Sequence, residues 1–345
     1  MSATIPDLTP QPRPLLTAAI PQAGGMFKAV PEDFEVEELP AYLPSGEGTH
    51  LYLWVEKEGR DTMEVVRELA KATGVPEKEI GYAGLKDRHA RTRQYLSVPA
   101  SAEAALEAFG CSGVRVLSRT LHTNKLRSGH LRGNRFTLVV RDVKDVGALE
   151  AAFDQLVAVG LPNAFGDQRF GRHGDNALMG WKLLMGERLP RRPDRFQRKL
   201  FLSALQSELF NRMLAERLRS GELARALPGD VLRKEDSGGL FVSGDPLVDQ
   251  PRVEAFEVSP TGPIFGPKMR APSHAVAERE RALLETVGLT PGHFQRGRGE
   301  TEGTRRPYRV QVADAGIEKL SAADLRLTFS LPSGSYATEL LRELL

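Results

Sequence analysis

Tyr82-Ala-Gly-Leu-Lys-Asp-Arg-His-Ala-Arg-Thr-Arg-Gln-Tyr-Leu-Ser-Val98 is the stretch around which this chain is organised. One acid, Asp87, stands among four fixed cations, Lys86, Arg88, Arg91 and Arg93. Gly84 precedes them, and a strand-like run, Gln94–Val98, follows. Basic side chains attract phosphate through the field of the surface. A single ionised carboxylate can serve as nucleophile or base. The competing interpretation is a solvated turn whose charges neutralise one another.

Outward from this loop, the patterns alternate between strand and helix. Phe34, Val36 and Leu39 interleave with Glu35, Glu37 and Glu38, as in a half-buried strand. His50–Val55 is apolar on both faces and predicts a central strand. Asp61 or Thr62 can cap a helix to about Thr73, with Val65, Val66 and Leu69 inward and Gly74 as its stop. Residues 100–109 read as a helix and Arg135–Val140 as a strand. From Ala108 to Arg141 there is no acid but seven bases: Arg115, Arg119, Lys125, Arg127, Arg132, Arg135 and Arg141. A solvated face normally mixes its signs, so this asymmetry favours a phosphate-binding surface.

Beyond lie a helix over 146–159, an irregular Gly-rich loop over 163–176, and a long helix over 194–219. A hairpin at 231–243, a Pro/Gly-rich run at 259–272 and a helix near 275–288 follow. Tyr308–Val312 and Leu325–Leu331 read as strands, and Ser335–Leu344 as an amphipathic helix. With both ends strand-rich, the expected layout is a loose leader (1–25), a domain built from 26–160 and 305–345, and an inserted domain over 161–304. The 345 residues, 41% hydrophobic and 27% charged, fit a globular protein of this size. A net charge of +2 puts any affinity for nucleic acid in local distribution. One cysteine, Cys111, excludes intramolecular disulfides. No apolar run approaches the roughly 20 residues of a membrane span, so a cytoplasmic protein is the expectation.

Gly84-Leu-Lys-Asp-Arg-His-Ala-Arg-Thr-Arg-Gln94 resembles the Gly-x-Lys-Asp-x-x-Ala-x-Thr-x-Gln signature of the TruD family of tRNA pseudouridine synthases. Phe27–Phe34, Gly133-Asn-Arg-Phe136, Pro162–Gly171 and Leu331–Thr338 resemble further family segments in family order. The resemblance implies an α+β fold, a pseudouridine-synthase mixed sheet with flanking helices and a large insertion. It also implies isomerisation of tRNA uridine, at position 13, with no cofactor, no metal and no obligatory protein partner.

By resemblance Asp87 is the catalytic carboxylate, attacking the sugar or acting as a base. Phe34, Phe136 and Tyr336 are nominated as aromatic walls for a flipped uracil, and Asn134 as a reader of its edge. Lys28 and Lys86 join the substrate contacts, Lys86 either as a phosphate contact or as an ion-pair partner that holds the Asp87 carboxylate. Arg88, Arg91, Lys125, Arg127, Arg132 and Arg169 are candidate contacts to the RNA backbone. Tyr336 brings a hydroxyl to a position where the family often has Phe, and Ala164 replaces a frequent Tyr. A non-catalytic tRNA-binding protein would share the basic surface yet have no need of Asp87.

Overall fold

The computed structural model describes residues 5–189 and 191–345. In chain order the first elements are β1 (Met26–Phe27), β2 (Phe34–Pro40), β3 (His50–Lys57), α1 (Thr62–Thr73), β4 (Gly81–Tyr82), β5 (Arg91–Pro99), β6 (Val114–His122), β7 (Leu131–Arg141) and α2 (Val146–Val159). Then come β8 (Leu161–Pro162), α3 (Asn176–Met185), α4 (Arg195–Arg219), β9 (Val231–Lys234), β10 (Leu240–Val242), α5 (Pro246–Glu254), β11 (Val258–Ile264) and α6 (His274–Thr286). The chain closes with β12 (Thr304–Pro307), β13 (Arg309–Val310), β14 (Ala313–Lys319), β15 (Leu325–Pro332) and α7 (Ala337–Leu344).

These elements fall into two compact units. One comprises Pro21–Ala151, Val312–Ala337 and Leu344–Leu345. It holds a nine-stranded mixed sheet in the order β14-β15-β7-β2-β5-β3-β6, with β1 on β7 and β4 on β5. The β2/β5 pairing is parallel and the others are antiparallel. The helix at 62–73 forms where its sequence predicts. A capping box joins Asp61 and Glu64, and Gly74 ends the helix in the left-handed conformation. Its Val65, Val66 and Leu69 pack on Leu51, Leu53, Val55, Leu96 and Val98, which share one face of the sheet.

The other unit comprises the described residues up to Ile20, Ala152–Gln311 and Thr338–Glu343. It contains a four-stranded sheet ordered β10-β9-β11-β12 and the β13/β8 pair. Residues 152–160 and 305–311 thus group with the middle of the chain, whereas the sequence layout drew its boundaries at 161 and 304. Residues 5–20, part of the leader expected to be loose, are tied down within this unit. Leu8 is buried, Arg13 pairs with Glu339 at 2.6 Å, and the Thr17 hydroxyl donates to the Glu343 carbonyl at 2.7 Å.

Several strands were not visible in the sequence, among them β6, β11, β12 and β14. β6 and β14 are sheet edges with weak inward patterning. β11 (Val-Ser-Pro-Thr-Gly-Pro-Ile) carries two prolines, which normally argue against an interior strand. It tolerates them because β9 pairs with Val258–Pro260 and β12 with Thr261–Ile264, each over only part of its length. Residues 100–109 form short 3-10 turns rather than one helix.

Gly133 marks the tightest approach in the large sheet: a Cβ there would lie 2.2 Å from the Leu331 carbonyl oxygen. Gly133→Ala should therefore push β7 and β15 apart and destabilise the protein by about 1–3 kcal/mol. Urea denaturation checks this, and an unchanged midpoint would contradict the packing described.

Candidate active site

The loop between β4 and β5 is held from below by side chains that the sheet and α1 bring inward. The Lys86 N–H donates to Thr62 Oγ1 at 2.8 Å, and Thr62 Oγ1 donates to Gln94 Oε1 at 2.9 Å. Gln94 Nε2 then donates to the Gly84 carbonyl at 3.1 Å. Thr62 and Gln94 are buried, so this relay runs without competition from water. Gln94 thus fastens Gly84, ten residues earlier in the same stretch.

Lys86 and Asp87 have opposite fates. Lys86 turns inward, its Nζ 3.2 Å from Glu38 Oε2, with both side chains almost inaccessible. Glu38 also accepts from the Tyr95 N–H at 3.3 Å. Burial pushes the Glu38 carboxyl above its ordinary range, and Lys86 pulls it back. Lys86 thus pairs with Glu38 and not with Asp87, the carboxylate its expected ion-pair role would have held, and its burial withdraws it from phosphate.

Asp87 points outward, its side chain 49% exposed. The cation beside it is Lys28, with Nζ 4.0 Å from Asp87 Oδ2. The same amino group sits 4.3 Å from the centre of the Phe34 ring. The sequence put four cations around Asp87, but none of those four pairs with its carboxylate among the described residues. Besides Lys86, Arg88 pairs with Glu64, and Arg91 and Arg93 point to the opposite side of the sheet.

That opposite side is a ladder of paired charges. The Arg91 guanidinium meets Glu32 at 3.1 Å, Glu35 at 3.4 Å and Glu58 at 3.1 Å. Arg93 meets Glu37 at 3.5 Å and Glu56 at 2.9 Å. Arg115 also reaches Glu56, at 2.5 Å, and Arg135 reaches Asp314 at 3.5 Å. Glu35 lies directly across from Arg91, and Glu37 from Arg93, as opposite-charge neighbours favour.

On the Asp87 side, strand register sets the apolar floor. Val36 pairs with Phe136, Glu38 with Asn134 and Phe136 with Phe329, so these residues share one face. Phe34 and Phe136 meet edge to face at 6.4 Å and are nearly buried. Two buried oxygens on this face, Asn134 Oδ1 and Thr92 Oγ1, have no hydrogen-bond partner among the described residues. Tyr336 stands half-buried just before α7, and its ring pairs with neither Phe34 nor Phe136 among the described residues.

The basic candidates divide. Arg127 and Arg132 are exposed and form no ion pair among the described residues. Their segment adjoins the Asp87 loop, since the Gly129 N–H donates to the Ala83 carbonyl at 2.8 Å. Lys125 donates to the Lys78 carbonyl. Arg169 belongs to the other unit, where its guanidinium lies over the Phe165 ring at 5.5 Å. There Phe165 and Phe170 are buried packing residues, and Asn211 bonds both the N–H and the carbonyl of Phe165. Among the described residues no group of three or more His, Cys, Asp or Glu side chains could hold a metal.

Sequence reasoning missed Lys57 altogether. It is fully buried, and its ammonium donates to the carbonyls of Arg60 at 2.7 Å, Asp87 at 2.9 Å and Lys86 at 3.3 Å. A signal existed: Lys57 follows Leu51, Leu53 and Val55 at period two, which places it on the inward face.

The pinned loop presents the Asp87 carboxylate beside Lys28, whose amino group lies over the Phe34 ring. A family model for tRNA pseudouridine synthase D (TruD) matches residues 13–189 and 191–344. The chain belongs to this family, and it is accordingly an isomerase of the pseudouridine synthase class. It is 53% identical over 338 residues to the tRNA pseudouridine synthase D of an Anaeromyxobacter species, covering 96% of this chain and 95% of the relative. It is 45% identical over 338 residues to that of Thermus thermophilus, covering 97% and 93%. A crystal structure of the putative enzyme from Methanosarcina mazei shares the fold, with a TM-score of 0.78 at 23% identity over 100% of this chain and 98% of that one.

The Lys86–Glu38 pair gives a direct test. Lys86→Met would leave Glu38 buried without its partner and should lower stability by about 3–5 kcal/mol. The double variant Lys86→Met/Glu38→Leu should recover most of that loss in urea denaturation. A single variant as stable as the parent would refute a buried ion pair at this site.

Proposed function

We propose that this chain converts a uridine of tRNA, at position 13 as the family resemblance implies, into pseudouridine in the cytoplasm, with Asp87 as the reacting carboxylate. The observation that carries this is the exposed Asp87 carboxylate on a loop whose backbone is pinned by buried Lys57, Thr62 and Gln94. A reacting group must be accessible to substrate and yet fixed in place. The reaction breaks the bond between uracil N1 and the sugar and forms a bond from C5 to the same sugar carbon; C5 gives up its proton and N1 takes one up, so no atom is gained or lost. Asp87 acts by attacking the sugar or by taking a proton, and either role needs it ionised at the start.

Taking uridine out of the tRNA stack costs a few kcal/mol, and one aromatic contact returns roughly 1–3 kcal/mol. Phe34 and Phe136 supply the apolar floor, and Tyr336 an additional wall. Asn134 reads the uracil edge, a role supported by its buried and unpartnered Oδ1. Lys28 offsets the charge that Asp87 presents to an approaching polyanion. Arg127 and Arg132 are the backbone contacts best supported, being exposed and unpaired among the described residues, while Arg91 is withdrawn from that role by its three carboxylates. Residues 161–304 act as an inserted domain that adds tRNA contacts.

Three outcomes follow. Asp87→Asn should lower pseudouridine formation in a tRNA transcript by at least about a hundredfold, the low end for a positioned proton-transfer group, without loss of folding. Undiminished product would sink the assignment. Asn134→Ala should cut kcat/KM about tenfold while leaving the urea midpoint nearly unchanged, because its amide oxygen serves no protein group. Arg127→Ala and Arg132→Ala should each reduce the slope of log binding constant against log salt by about one. A slope equal to the parent's would remove that residue from the interface.

A further inference from the structure

We propose that Lys57 is the positioning residue of the reaction, a buried ammonium that holds the main chain on both sides of Asp87's peptide link and so fixes its carboxylate. The proposal rests on the assignment of Asp87 as the reacting carboxylate and goes beyond it by naming what sets its geometry.

The geometry is unusual for a lysine. Lysine is seldom fully buried without a carboxylate partner, yet Lys57 is 1% exposed and all three of its N–H donors go to carbonyl oxygens. Two of those carbonyls, of Lys86 and Asp87, flank the peptide bonds that orient the Asp87 side chain. The third, of Arg60, belongs to the turn entering α1, whose Thr62 already bonds the Lys86 N–H. One side chain thus ties β3, the start of α1 and the Asp87 loop together. No neutral side chain of similar length supplies three donors from a single atom.

The grip depends on the proton. Burial lowers the Lys57 ammonium to about 8; Asp61, Asp87 and Glu64 hold it up, and Lys86 pushes it down. Deprotonation leaves two N–H donors for three carbonyls and removes the charge that strengthens each bond. The consequences for activity and stability have opposite signs. In the unfolded chain lysine keeps its proton to about pH 10.5. Between 8 and 10.5 the unfolded state therefore binds more protons, and this group makes folding more favourable as pH rises. Over the same interval the loop is released and catalysis declines. A lysine that merely stabilised the fold would not separate the two.

The test is single-turnover pseudouridine formation on a tRNA transcript from about pH 6.5 to about pH 9.5, with melting temperatures across the same range, so that the interval brackets the Lys57 titration. The full chain is compared with Lys57→Met, Lys57→Arg and Asp87→Asn. For the parent, the expected rate falls about tenfold per pH unit above about 8 with no matching fall in melting temperature. Lys57→Met should be at least about tenfold slower near neutral pH, should bind tRNA as the parent does, and should lack the alkaline fall. Lys57→Arg, which keeps its proton throughout, should recover part of the rate and also lack the fall. A parent rate that stays level to the alkaline end of the range overturns the proposal, as does an alkaline fall that persists unchanged in Lys57→Arg. A folded Lys57→Met with the parent's rate does so too. If Lys57→Met does not fold, the parent and arginine profiles decide. Should Asp87→Asn be as active as the parent, the assignment of Asp87 fails. Should it be inactive while the Lys57 variants keep the parental profile, only the role of Lys57 falls.

Discussion

The unit that carries the Asp87 loop depends on one constraint: the main chain of the loop at 84–90 satisfies few of its own hydrogen bonds, His89 N–H to Asp87 Oδ1 being one. Its peptide groups lie outside the strands and helices of the fold, so buried side chains from three elements must serve them. Lys57 from β3, Thr62 from α1 and Gln94 from β5 do so, and they converge because β3 and β5 are neighbours and α1 packs on both. The apolar core and the polar relay occupy the same face of the sheet, the core toward one end and the relay toward the other. A rigid perch for Asp87 is thus a by-product of how the sheet is covered.

The arrangement also separates two charges that adjoin in sequence. Lys86 goes into the core to meet Glu38, and Asp87 goes out to solvent. In an extended backbone consecutive side chains point to opposite sides, and this adjacent Lys-Asp pair delivers one buried anchor and one exposed carboxylate. Lys28, far earlier in the chain, supplies the cation that adjacency appeared to promise. It does so from a backbone with positive φ of 60°, an uncommon conformation for lysine.

Much of this was legible in the residues. The helix at 62–73 announced itself through its cap, period and terminal glycine, and Asp87 through its isolation among bases and its family signature. The sidedness of the bases was not legible. Charge counts treat Arg88, Arg91, Arg93 and Lys86 alike, whereas strand parity sends Arg91 and Arg93 to the far face and the glutamates across the register neutralise them. Lys57 was hidden for the related reason that a charged residue at a strand end passes for solvent-exposed. The strand at 258–264 was hidden because proline is a local breaker, and only its divided pairing, one partner for each half, reveals why it is tolerated.

The ladder of paired charges on the far face has a consequence for how a large polyanion is captured. A surface that cancels itself residue by residue projects little field beyond a Debye length of about 8 Å at physiological salt. Arg91, Arg93 and Arg115 add to the chain's basic count yet offer incoming phosphate almost nothing. The sheet is in effect insulated at its back. The field this unit projects comes mainly from its exposed unpaired cations, among them Arg127 and Arg132 beside the Asp87 loop, so a polyanion is drawn toward that side.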